Sequence, residues 1–185
     1  GTTQNYSVPG DDIGTISYRV LLADNSNNCT DPISNTITVT VIGQPTVSVS
    51  TATPVICING VFLISSTVNN GSGLYMYQWQ TSDNETGPWT NITSNGENPE
   101  YTDILSVTGV KYYRVIVTDL ANGCGVMTSS VVSITVNPNP LVSVTPLDQI
   151  VCVGGIATLT AQITNGSGDY SFQWEYSEDG SSWQD

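Results

Sequence analysis

Apolar and polar residues alternate in short runs along the whole chain, and clusters of Gly, Asn, Asp, Ser and Pro separate the runs. In Tyr75-Met76-Tyr77-Gln78-Trp79 the aromatic residues fall on every second position. A period of two puts them on one face of a half-buried strand. Many such runs bounded by turn formers predict an all-β sandwich or barrel. Strands are predicted over 45–51, 61–68, 74–81, 86–92, 99–105, 110–118 and 130–137.

The pattern also recurs at long range. Tyr18-Arg19-Val20 returns as Tyr113-Arg114-Val115, Cys29 as Cys124 and Cys57 as Cys152. Asn70-Gly71-Ser72-Gly73 returns as Asn165-Gly166-Ser167-Gly168, and Gln78-Trp79 as Gln173-Trp174, all at a spacing of 95 residues. Trp89 matches Trp183, one residue out of step. A period this long copies a whole small domain, not a solenoid unit of about 20–50 residues. The two copies act as an alignment. Tyr75/Tyr170, Tyr77/Phe172 and Trp79/Trp174 stay aromatic, while Leu74/Asp169 and Met76/Ser171 drift. Tyr18/Tyr113, Val20/Val115 and Leu22/Val117 define the apolar face of a second strand. Ile37/Val132, Val39/Ile134 and Val41/Val136 define that of a third. Trp79, Tyr113, Trp174 and Tyr18 are therefore the expected core aromatics.

The period divides the chain into 1–42, the C-terminal half of a domain, 43–137, a complete domain, and 138–185, an N-terminal half. The links Val41-Ile42-Gly43-Gln44-Pro45 and Val136-Asn137-Pro138-Asn139-Pro140 are short and end in Pro, so the joints should be stiff. Together the two end segments make one domain short of the loop residues Ile92 to Asn95. A half sandwich leaves its apolar face bare. Two expectations follow: the chain is one two-domain stretch of a longer rod, or the C-terminal half of one molecule completes the N-terminal half of the next.

Composition narrows the function. Lys and Arg number 3 against 16 Asp and Glu, a formal net charge of −13. Such a charge argues against nucleic acid or an anionic membrane surface as partner. There is no apolar run long enough to span a bilayer, so no direct membrane insertion is expected, and any signal or anchor is expected outside this stretch. With no His, the usual general base, triad partner and transition-metal ligand are all missing, and no enzyme activity is expected.

Seven short strands, a Trp on the third and a Tyr at the start of the sixth resemble an immunoglobulin-like sandwich. In that fold the Trp fills the core, and the Tyr hydroxyl often bonds back to backbone, a role the resemblance gives to Tyr113. Val115 stands where antibody-type domains carry a core Cys, so packing alone must hold the sheets together. Three stretches are similar to the tandem Ig-like and PKD-like repeats of large secreted proteins of the Bacteroidota. They are Val151-Cys152-Val153-Gly154-Gly155, Tyr112-Tyr113-Arg114-Val115-Ile116-Val117-Thr118-Asp119 and Val132-Ser133-Ile134-Thr135-Val136-Asn137-Pro138. The resemblance implies tandem Ig-like β-sandwich domains in an extracellular filament or giant cell-surface adhesin, with neighbouring domains or copies as partners.

The four cysteines suggest an oxidising, extracellular setting. Three states stay open: a Cys57–Cys124 bridge with Cys29 and Cys152 paired in the halves completed elsewhere, bridges between neighbouring domains, or free thiols. In Ig topology the turn holding Cys57 and the loop holding Cys124 lie at opposite ends, which weighs against the first. Zinc has neither CxxC nor His to hold it.

The remaining motifs read as surface features. Six N-x-S/T sequons, at Asn5, Asn28, Asn70, Asn84, Asn91 and Asn165, fit the chance expectation for so Asn- and Ser/Thr-rich a chain. Asn70 to Gly73 reads as a tight turn. The loop acids Asp83, Glu85, Asp11 and Asp12 leave calcium open as the one cofactor, though without EF-type spacing. Arg19 and Arg114, on the outer face of their strand, are expected to form a cross-strand salt bridge or to cover apolar surface with their stems. Tyr112, Trp89 and Trp183 could stack on surface glycans, but Trp89 recurs in both copies and is expected rather to cap the sandwich. A carbohydrate- or calcium-binding accessory array of a secreted multidomain protein is thus the alternative to the structural and adhesive rod.

Overall fold

A computed structural model describes residues 4–23, 31–121 and 123–185 of the chain. Among the described residues there is no helix, and thus none long and apolar enough to cross a membrane. The strands are β1 (Gly14–Tyr18), β2 (Ile37–Val41), β3 (Thr46–Thr51), β4 (Val55–Cys57), β5 (Val61–Asn69), β6 (Tyr75–Ser82) and β7 (Thr90–Asn91). They continue as β8 (Glu100–Ile104), β9 (Gly109–Asp119), β10 (Val126–Thr128), β11 (Val132–Asn137), β12 (Leu141–Thr145) and β13 (Thr160–Thr164).

Two sheets form the centre of the molecule. One runs β4-β11-β9-β6-β7, with β10 also paired to β9, and the other runs β3-β5-β8. All the ladders are antiparallel except β4 with β11, where Thr135↔Val55 to Asn137↔Cys57 run parallel. Two further pairs, β1-β2 and β12-β13, stand as separate sheets.

The core lies between the two central sheets. Phe62, Ile64 and Tyr101 come from one, and Trp79, Tyr113, Val115, Val117, Ile134 and Val136 from the other. Burial follows the sequence period: Tyr113, Val115, Val117 and Asp119 are buried on β9, and the residues between them are half-buried. This arrangement is compatible with a β-sandwich.

Several expected elements differ from the sequence reading. The strand over 86–92 contracts to Thr90–Asn91, because Gly87, at a φ of 98°, and Pro88 interrupt it. The short strands β4 and β10 were not expected. Each owes its existence to an edge position offered by β11 or β9, which local alternation does not reveal. Over 169–175, the repeat counterpart of β6, no strand forms, and only the bridge Tyr176↔Gln184 is present. The long ladder of β6 is to β9, and among the described residues no strand pairs with 169–175.

Candidate functional site

The residues with most to say about function lie at the two poles of the central sandwich and on the outer face of β6 and β9. At one pole sits Asp119, the last residue of β9, which is 4% exposed. Its carboxylate accepts from the Ser72 amide at 2.8 Å, the Ser72 hydroxyl at 2.6 Å and the Ala121 amide at 2.8 Å. It ties the turn after β5 to the loop after β9. Burial pushes the carboxyl up, but the bonds from Ser72, Ala121 and the Cys124 thiol outweigh it and hold the group below its ordinary 3.8. Gly71 completes the turn at a φ of 76°, where a Cβ would stand 2.4 Å from Asp119 Oδ2 and 2.9 Å from Pro45 Cβ.

A lowered carboxyl stabilises the fold fully above the unfolded-state value, and that contribution is lost as pH falls through the folded value. The melting temperature of wild type should therefore exceed that of Asp119→Asn by a constant margin above pH 5. The margin should shrink as the pH drops below 3.8. Thermal melts of both proteins across this range check it. A margin that stays flat to pH 2 would show that the charge of Asp119 contributes nothing.

The links between segments are bonded to their surroundings. The Gly71 amide donates to the Gly43 carbonyl at 3.1 Å, and Gln44 Nε2 donates to the Gly123 carbonyl at 3.0 Å. At the opposite pole the Ile58 amide donates to the Asn137 carbonyl at 3.0 Å. Asn137 Nδ2 in turn donates to the Gly166 carbonyl at 3.1 Å, and the Gly166 amide to the Pro138 carbonyl at 3.0 Å. Asn137 is thereby fastened to the turn after β4 and, with Pro138, to the turn after β13.

On the outer face, Arg114 lies opposite Gln80. Its Nε donates to Gln80 Oε1 at 2.8 Å, and Gln80 Nε2 donates to Asn91 Oδ1 at 2.8 Å. The guanidinium sits 4.4 Å over the centre of the Trp89 ring. Of the two expectations for Arg114, a salt bridge or a stem over apolar surface, the salt bridge does not form, because the residue across the ladder is uncharged; a hydrogen bond to a neutral amide and a cation–π contact take its place. Asp83, weighed above as a calcium ligand, instead holds Lys111 at 2.5 Å. Among the described residues no three His, Cys, Asp or Glu side chains gather closely enough to hold a metal ion. A surface depression of about 580 Å³, lined by Ser66, Asn95, Asn98, Pro99, Glu100 and Thr102, brings a single carboxylate and no base or nucleophile pair together.

Of the four expected core aromatics, Trp79 and Tyr113 are fully enclosed. Trp79 Nε1 donates to the Asn98 carbonyl at 2.9 Å. Tyr113 packs its ring 5.1 Å from Phe62 and 6.0 Å from Tyr101. Burial, with the Asp103 charge adding to it, pushes the Tyr113 phenol up to about 12. The bond from hydroxyl to backbone expected of Tyr113 is made instead by Tyr75, to the Asn70 carbonyl at 2.5 Å, and by Tyr170, to the Asn165 carbonyl. Tyr18 is only half-buried, its ring 6.0 Å from Tyr6. Trp174, expected in a core, is 47% exposed, whereas Tyr101 packs against the enclosed Trp79.

Of the three states left open for the cysteines, the described residues show the free thiol. Cys57, Cys124 and Cys152 are free thiols, and Cys29 lies outside the described residues. Cys57 pairs with Asn137 beside the Gly109 end of β9, whereas Cys124 follows the Asp119 end. Ten residues of extended strand put about 33 Å between those ends, far beyond the roughly 7 Å a disulfide tolerates. Burial, and then the Asp119 charge, raise the Cys124 thiol above its ordinary value, so its reactive thiolate is disfavoured.

The sequence reading missed Phe62, Tyr101 and the Ser72–Asp119 latch. Tyr101 carried a signal, since it recurs as Tyr6, and so did Asp119, which recurs as Asp24. Phe62 did not, because its counterpart is Ala157. Residues 46–138, half of the chain, match the model of a family described as a domain of unknown function, DUF8696. No curated protein matches the chain.

Proposed function

The chain belongs to the DUF8696 family, and from that premise we propose that it is a structural and adhesive repeat module. Its tandem immunoglobulin-like sandwiches, repeating every 95 residues, build a stiff acidic rod in an extracellular filament or giant surface adhesin, with neighbouring domains or copies as partners and no catalytic role. The observation that carries this reading is the fastened link. Asn137 is hydrogen-bonded to the turn after β4 and to the turn after β13, Pro138 to the latter, and Pro140 restricts the backbone immediately beyond. Such a joint resists bending. The family match over 46–138 agrees with a unit of about this length. A net charge of −13 keeps parallel rods apart in solution.

Electron microscopy of the native surface material tests the proposal. β9 has 11 residues, which at about 3.3 Å each span about 36 Å. Straight fibres with an axial repeat on the order of 40 Å per domain are expected. Flexible strings of beads, or isolated compact particles, would overturn it.

A further inference from the structure

We propose that the free edge of β8 is an interaction surface that takes an extended, basic segment of a partner protein as an added strand. The inference rests on the adhesive reading and names the chemistry of what such a module holds. Every residue it uses lies within the central pair of sheets and their connections.

β8 stands at the edge of the β3-β5-β8 sheet, and among the described residues no strand pairs with its other side. The register fixes which groups face outward. In an antiparallel ladder successive residues turn their N–H and C=O alternately to one neighbour and to the other. The Ser66 amide donates to the Pro99 carbonyl at 2.9 Å, so Tyr101 and Asp103 also face β5. Leu63 shows the opposite phase: its amide donates to Thr53 Oγ1 and its carbonyl accepts from Thr51 Oγ1, both on the β3 side. Glu100, Thr102 and Ile104 therefore turn their backbone groups away from the sheet. The Ile104 amide donates to Asp103 Oδ1 at 2.7 Å. The outward groups of Glu100 and Thr102 find no partner among the described residues, and both residues are exposed. A row of unpaired donors and acceptors is what strand addition uses.

Two depressions flank this edge. One, of about 580 Å³, takes in Asn95, Pro99, Glu100 and Thr102. The other, of about 340 Å³, takes in Asn95, Tyr101, Thr102 and Asp103. The side chains of an added strand alternate between its two faces. Successive residues of such a strand would therefore enter one depression and then the other.

Charge names the occupant. Each depression holds one carboxylate, Glu100 in the first and Asp103 in the second, and neither is lined by Lys or Arg. The cations of the central sandwich are engaged elsewhere, Lys111 with Asp83 and Arg114 with Gln80 and Trp89. A chain with a net charge of −13 also draws a basic segment toward it. Lys and Arg can lay their stems along a depression while the charged head reaches the carboxylate. Glu100 and Asp103 lie an odd number of positions apart, hence on opposite faces of β8. A partner strand with basic residues at the same spacing meets both.

Fluorescence anisotropy of a labelled, end-capped peptide, Thr-Lys-Val-Val-Lys-Thr, titrated with the full 185-residue chain at about 0.15 M salt tests the inference. Saturable binding to wild type is expected. Thr102→Pro removes an outward amide and none that faces β5, so the sheet should stand while binding weakens on the order of tenfold. Glu100→Lys should weaken it to a similar degree. Near-UV circular dichroism of the Trp79 environment verifies that both variants are folded. Two forms of the peptide, N-methylated on one or the other alternate set of amides, read the pairing without altering the protein. One should lose binding and the other keep it, since only one edge of the peptide faces β8. No saturable binding to wild type overturns the proposal. Binding indifferent to Thr102→Pro and to both methylations is attraction to an acidic surface alone and overturns strand addition. Straight fibres in native material would leave the rod reading standing in either case.

Discussion

Trp79→Ala should unfold the central sandwich at temperatures where wild type is fully native. The indole is 0% exposed and is the largest side chain of the core. It packs 6.4 Å from Tyr101, and its Nε1 donates to the Asn98 carbonyl. Truncation removes the buried apolar surface, leaves a cavity and strands that carbonyl. Such changes cost about 3–5 kcal/mol, set against total stabilities of about 5–15 kcal/mol for a domain. No disulfide crosses the core to limit the loss, since the described cysteines are free. Urea titration should show the midpoint collapsing. Trp174→Ala should change the stability by less than about 0.5 kcal/mol, as for an ordinary exposed site. Equal effects from the two substitutions would mean that Trp79 is not the centre of the core.

Gly96→Ala is expected to cost nearly as much, though the change is a single methyl. Gly96 is buried, and an added Cβ would lie 2.2 Å from the Ile92 carbonyl oxygen and 3.0 Å from the Ile92 carbonyl carbon. Both are backbone atoms that cannot swing aside as a side-chain tip does. The Gly96 carbonyl also accepts the Trp79 amide at 2.7 Å, so a shift of the 92–96 turn pulls on the strand that positions the core Trp. Overpacking of this kind costs about 1–3 kcal/mol, more where backbone must move. Gly43→Ala is the control, because the nearest atom to its Cβ would be Ile13 Cδ1 at 3.5 Å, an ordinary contact. Urea midpoints with unchanged slopes should fall for Gly96→Ala and stay level for Gly43→Ala. Equal midpoints would show that the 92–96 turn yields freely.

The faces of the strands were legible because alternation is a local property. The pleat sends successive side chains to opposite sides, so Tyr113, Val115 and Val117 announce a buried face without knowledge of what covers it. The repeat extended this reach by showing which positions stay apolar in both copies. It failed at Phe62, whose counterpart Ala157 hides the need for a large ring there. It was also blind to Gly96, whose role rests on the carbonyl of Ile92 rather than on any pattern. The pole latch was half visible: the Asn-Gly-Ser-Gly turn stood out, but its acceptor Asp119 lies 47 residues from Ser72.

The sequence by itself determined the all-β class, the phase of each core strand, the acidic surface and the duplication of Cys57 and Cys124 as Cys152 and Cys29. All of these follow from residue type and spacing along the chain. Tertiary structure alone decided who meets whom. It gave Arg114 a neutral Gln80 and the Trp89 ring in place of a carboxylate. It enclosed Trp79 while leaving Trp174 47% exposed. Partners across a sheet are chosen by strand order and register, and those are set by contacts between residues far apart in the chain, which no local period encodes.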